Sequence, residues 1–140
     1  MWVVYAFGSA ISAALVALFG KVGLQNVDPT LATIIRGVIM ALLLIVAGFV
    51  FRKFDGFSFA SLSGRAWLFI LLAGVAGAAS WLLYFLALKH GPASAVAVID
   101  KLSVVFVIFL AAAFLDESLT VRSVIGVFLT VIGTLFILFK

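Results

Sequence analysis

Residues 95–115 read AVAVIDKLSVVFVIFLAAAFL, and within this apolar run Asp100 and Lys101 stand side by side. A helix of roughly 20 apolar residues crosses a hydrocarbon core, so the run has the length and character of a membrane span. An ionised group at the centre of such a span costs at least about 2.5–3.5 kcal/mol, and it persists where it pairs with something or lines a pathway. The pair therefore marks where function is to be sought.

The rest of the chain agrees with a membrane reading. Hydrophobic residues make up 67% of the 140 and charged residues 10%, and the mean hydropathy is +1.44, well outside the range of soluble domains. Five stretches are long enough to span: about 2–24, 30–51, 66–88, 93–115 and 122–139. None alternates like a barrel strand, so an all-α integral membrane protein is expected, forming one membrane domain over residues 1–140. The first span opens Met1-Trp2-Val3-Val4-Tyr5 without a basic leader and meets its first lysine only at Lys21, so it reads as a true span and not as a cleaved signal. There is no cysteine and a single histidine, His90, so no metal centre and no cofactor is expected. The net charge of +4 comes without a basic, aromatic-interleaved soluble face, which excludes a nucleic-acid partner.

Short turns join the spans: Asn26-Val27-Asp28-Pro29, with Pro29 suited to a helix's first turn, then His90-Gly91-Pro92, then Asp116-Glu117-Ser118. The longer link between Arg52 and Arg65 carries Phe54, Phe57 and Phe59, either as a segment lying in the bilayer interface or as a loop with incidental aromatics. Arg52, Lys53, Arg65 and Arg122 fall on one face and Lys21, Lys89 and Lys140 on the other. That balance gives only a slight preference for a cytoplasmic N-terminus.

Depth arithmetic gathers the polar residues. Arg36 and Asp100 lie on spans that start from the same face, each roughly 9–10 Å below it at 1.5 Å per residue. Trp81 sits at about 10 Å on a span ending at that face, with Tyr84 one turn nearer the surface, and Lys21 approaches from the end of the first span. Neighbours on a helix project about 100° apart, so Asp100 and Lys101 are not expected to pair with each other. Asp100 then needs a partner elsewhere, and Arg36 or Lys21 is the candidate. These groups either line a water-accessible cavity or form a static pair; Trp81 and Tyr84 either line that cavity or anchor the interface. Small residues form stripes on the first, third and fifth spans, among them Gly8, Gly74, Gly77 and, on the charge-free fifth span, Gly126, Thr130 and Gly133. Such stripes permit close helix approach, and the fifth is best placed for self-association. No carboxylate pair, Ser/His/Asp set or phosphate-binding glycine spacing occurs, so no enzyme is expected.

The run WLLYFLALKHGPAS from Trp81, the later FLDESLTVRSVIG from Phe114 with Gly133, and Asp28-Pro29 leading to Arg36 resemble the EamA domain of the drug/metabolite transporter superfamily over nearly the whole chain. The resemblance implies a polytopic helical transporter, commonly two five-helix units of inverted topology in one ten-helix chain. Here there is one unit, and Asp100-Lys101-Leu102-Ser103 stands where many ten-helix members carry proline, which looks like a single-unit, five-helix subgroup. Small multidrug-resistance relatives use a first-helix carboxylate that this chain lacks. One unit supplies half of an alternating-access pair. The expectation is a homodimer with antiparallel copies in a prokaryotic plasma membrane, carrying a small polar metabolite or drug-like solute, with a proton or cation as coupling ion. Its cavity would be lined by Arg36, Asp100, Lys101, Trp81, Tyr84 and Lys21, with dimer contact through Gly126, Thr130 and Gly133. Basic groups suit a carboxylate or phosphate, an unpaired Asp100 an amine. The alternative is a non-transporting membrane subunit or lipid-carrier flippase component that works with another membrane protein.

Overall fold

Helix boundaries follow the local chemistry. Asp28 in an extended conformation accepts Leu31 N–H at 3.0 Å through Oδ1, and Pro29 occupies the first helical turn; the cap and the pre-set φ of proline together start the second span. Thr120 caps the last helix in the same way, accepting from Ser123 N–H at 3.1 Å. The second helix ends in a Schellman turn: Lys53 N–H bonds Gly48 C=O at 2.9 Å, Arg52 N–H bonds Phe49 C=O at 3.0 Å, and Arg52 takes the left-handed φ of 51°.

The computed structural model describes residues 1–139, apart from the side chain of Ala60; Lys140, one of the basic residues placed on the second face above, lies outside them. The elements are α1 Trp2–Gly23, α2 Pro29–Val50, a 3₁₀ turn Phe59–Ser61, α3 Gly64–His90, α4 Ala93–Asp100, α5 Ser103–Phe114 and α6 Val121–Leu138, with no strand among the described residues. Among the described residues five segments are long and apolar enough to cross a membrane, α4 and α5 together making the fourth.

That fourth segment departs from the continuous helix expected over 93–115. At Lys101 and Leu102 the backbone stays right-handed, but the bonding shortens by one residue. Lys101 N–H reaches Val98 C=O at 3.1 Å and Leu102 N–H reaches Ile99 C=O at 2.9 Å, and Val104 and Val105 repeat the pattern at 3.1 and 3.0 Å. A 3₁₀ turn inside a span is a common mark of a hinge or of local strain. No proline or glycine is involved.

By internal contact the chain divides into two units, Met1–Lys21 with His90–Lys140, and Val22–Lys89. In the first, α6 packs along α4 and α5, with Ala17, Val96, Ala111 and Thr134 buried. Thr134 donates its hydroxyl to Thr130 C=O at 2.8 Å, so the buried oxygen is satisfied within its own helix. In the second, Leu24, Pro29, Phe85 and Leu88 are buried. In lipid such burial contributes packing contacts more than escape from water.

The small-residue stripes do not mark close contacts within the chain. A Cβ at Gly8, Gly74, Gly77, Gly126 or Gly133 would meet nothing within 4 Å. The close approach is at Gly48, where a Cβ would stand 2.5 Å from the Phe54 ring. Phe54 folds back there onto α2, its ring 4.9 Å from that of Phe49. At the far end of the same link Phe57 meets Phe59 edge-on at 5.1 Å and Phe59 stacks on Trp67 at 5.8 Å, and Trp67 Nε1 donates to Phe59 C=O at 3.3 Å.

Candidate functional site

Within the unit Val22–Lys89, Arg36 lies about two turns into α2, roughly 10 Å from its start. Its guanidinium carbon stands over the Trp81 ring, 4.0 Å from the centroid, and 5.1 Å from that of Phe85. Both rings come from α3, four residues apart and therefore on one face of that helix. Phe85 is buried at 4% exposure, whereas Arg36 and Trp81 are half-buried. A cation over an aromatic face away from water is worth about 2 kcal/mol or more. Tyr84 is half-buried, with its ring 6.4 Å from Phe85. Two residues placed at one depth by arithmetic, Arg36 and Trp81, are thus in contact. Phe85 escaped the sequence reading because an apolar ring in an apolar span carries no signal of its own.

The same unit holds a cation that sequence reasoning used only for charge counting. Lys89, at the end of α3, donates to Leu24 C=O at 2.6 Å, to Gln25 C=O at 3.2 Å and to Val27 C=O at 3.3 Å. It ties down the turn between α1 and α2 and supplies partners for carbonyls at a helix end. Nothing short of the fold shows this, because loop carbonyls have no fixed direction in sequence.

In the other unit, Lys21 donates to Gly91 C=O at 2.8 Å from a half-buried position. Asp100 and Lys101 are exposed and pair with each other: Lys101 Nζ lies 3.7 Å from Asp100 Oδ2. This corrects the expectation that the two could not pair. Helical spacing separates their Cβ directions, but α4 ends at Asp100, and the four-carbon stem of Lys101 lets the ammonium curl back to its neighbour. In water such an exposed pair contributes about 0–1 kcal/mol. At membrane depth it serves instead to keep the local charge near zero.

On α6, Gly126 and Gly133 are exposed and Thr130 half-buried, with the Thr130 hydroxyl donating to Gly126 C=O at 2.8 Å. An open apolar groove of about 410 Å³ runs along α3 between Trp67 and Ala78. None of the candidate site residues lines it, and its lining is apolar. No group of three or more His, Cys, Asp or Glu with metal-binding geometry occurs among the described residues.

Comparison with known proteins accords with this architecture. The EamA-like transporter family matches residues 1–139. A Sinorhizobium sp. protein named "Uncharacterized transporter in cobO 3'region" is 41% identical over 134 residues, covering 96% of this chain and 94% of that protein. No solved structure matches. The chain belongs to the EamA-like transporter family and is a multi-pass membrane protein.

Proposed function

We propose that this member of the EamA-like transporter family is a secondary transporter that moves a small polar metabolite or drug-like solute across the plasma membrane of a prokaryote. It works as a homodimer, with the two copies antiparallel and a proton or cation as coupling ion. The observation that carries the reading is Arg36 held over Trp81 about 10 Å into a span: a charged group kept at membrane depth on an aromatic platform has the makeup of a solute site. Trp81 and Tyr84 form its walls, while Asp100 and Lys101 form a charge pair of their own beside the 3₁₀ turn of the fourth span. Lys21, in the other unit, is engaged with Gly91 C=O.

The dimer follows from the mechanism: alternating access needs two related bundles around a shared midplane site, and residues 1–139 match the family once.

Gly126→Leu combined with Gly133→Leu tests the assembly cleanly, because Cβ atoms at both positions have open space within the chain itself. Cysteine crosslinking in membranes and uptake of a labelled metabolite panel into proteoliposomes are then measured together. The expected result is joint loss of dimer and uptake with the monomer still inserted. A wild-type chain that is monomeric in lipid yet takes up solute would overturn the half-transporter reading.

A further inference from the structure

Arg36 differs from the lysines at the helix ends and in the spans. Lys21 and Lys89 each donate to loop carbonyls, and Lys101 faces a carboxylate. The guanidinium of Arg36 carries five N–H donors; it stands over two aromatic rings, which take its charge and accept no oxygen-type hydrogen bond, with the Tyr84 phenol near enough to act on it electrostatically. The carboxylates of its own unit are Asp28 and Asp55; Asp28 is engaged as the cap of α2, and neither is within ion-pair distance of it. The indole N–H of Trp81 likewise has no acceptor among the described residues. Two groups that only donate therefore meet at one place, roughly 10 Å into the span and away from bulk water.

A place rich in donors, where a carboxylate is lacking and the Tyr84 phenol is the polar neighbour, is complementary to a ligand that brings negative charge. An ionised carboxylate or a phosphate has that character, and a guanidinium fork meets either of them with two parallel charge-assisted bonds. A protonated amine would bring further donors and a second positive charge. Asp100 does not restore the case for an amine, since its charge is already matched by Lys101 at 3.7 Å. We infer that Arg36, seated on Trp81 and Phe85 with the indole N–H beside it, binds the oxyanion of the solute, so that the substrate class is a small organic carboxylate or phosphate ester. The identification of the ligand as the transported solute rests on the transporter reading above; the anion site itself does not.

The site is tested by binding, without transport. The full chain carrying Trp2→Phe and Trp67→Phe leaves Trp81 as the fluorophore, purified in a phosphate-free maltoside detergent so that no lipid phosphate is present. Acetate, inorganic phosphate and methylammonium are titrated separately at constant ionic strength, and a short-chain phosphatidylglycerol in a further arm. Saturable change in Trp81 emission is expected with acetate or phosphate, and the stronger of the two tells carboxylate from phosphate. Arg36→Lys should weaken that binding about tenfold, the loss of one charge-assisted bond from the fork, and Arg36→Gln should abolish it while the helical circular dichroism stays unchanged.

Four binding results would overturn the proposal: no saturable response to either oxyanion, an equal response in Arg36→Gln, preference for methylammonium, or saturation by phosphatidylglycerol alone, which would make the site one for a lipid headgroup. Non-additive losses of stability in Arg36→Gln and Asp100→Asn would also overturn it, because the arginine would then be neutralised from within the chain. A chain that binds oxyanions but takes up no solute would instead sink the transporter reading and leave the anion site standing.

Discussion

Lys89→Met removes an ammonium while keeping most of the apolar stem, and the structure sets the size of the effect. The bond to Leu24 C=O at 2.6 Å is a short charge-assisted hydrogen bond, worth about 1.5–3 kcal/mol. The bonds to Gln25 and Val27 at 3.2 and 3.3 Å are longer and partly open to solvent, and add about 0.5 kcal/mol each at the low end of the usual range. Leu24 is 1% exposed, so water cannot readily take the place of the lost donor, and its carbonyl stays desolvated and unpaired. The sum is about 3 kcal/mol, a shift of roughly a hundredfold in the opening equilibrium of the turn between α1 and α2. Amide hydrogen exchange of the chain in nanodiscs reads this locally. Peptides covering residues 24–28 should exchange roughly a hundredfold faster in Lys89→Met, with α6 unchanged, and Lys89→Arg should recover part of the protection because it restores a cationic donor. Unchanged protection at 24–28 would refute the reasoning, since it would mean that the three carbonyls find other partners at no cost.

Two further outcomes follow from local geometry. Asp28→Ala removes the acceptor of Leu31 N–H and should destabilise the start of α2 by about 1 kcal/mol, seen as faster exchange confined to the first turn of that helix; unaltered exchange there would show the cap to be idle. Gly48→Val brings a Cβ to 2.5 Å from the Phe54 ring, which must swing away from Phe49 and forfeit about 1 kcal/mol of ring contact. Tryptic cleavage after Arg52 and Lys53 should accelerate, and an unchanged cleavage rate would place Phe54 elsewhere.

Each of these effects depends on a different kind of information, and so does the candidate site. The five spans were legible in the sequence because a hydrocarbon core imposes both apolar composition and length on whatever crosses it. The start of α2 was legible because Asp-Pro is read by the first turn alone. So was the common level of Arg36 and Trp81: a fixed rise per residue converts position in a span into depth, and the two side chains meet at 4.0 Å. Depth says nothing about rotation about the helix axis, however, and rotation decides which groups touch. Only the tertiary structure seated Phe85 as a second ring beneath Arg36, turned Lys89 onto the carbonyls of residues 24, 25 and 27, and let Gly48 in place of the small-residue stripes receive a close neighbour. It alone also broke the fourth span at Lys101, because a change from four-residue to three-residue bonding needs no helix-breaking residue to announce it, and there Asp100 found its partner in the adjacent side chain. The physical reason is common to all: solvent and backbone geometry act on every residue alike and can be read along the chain, whereas side-chain partnership depends on directions in space that the chain acquires only when it packs.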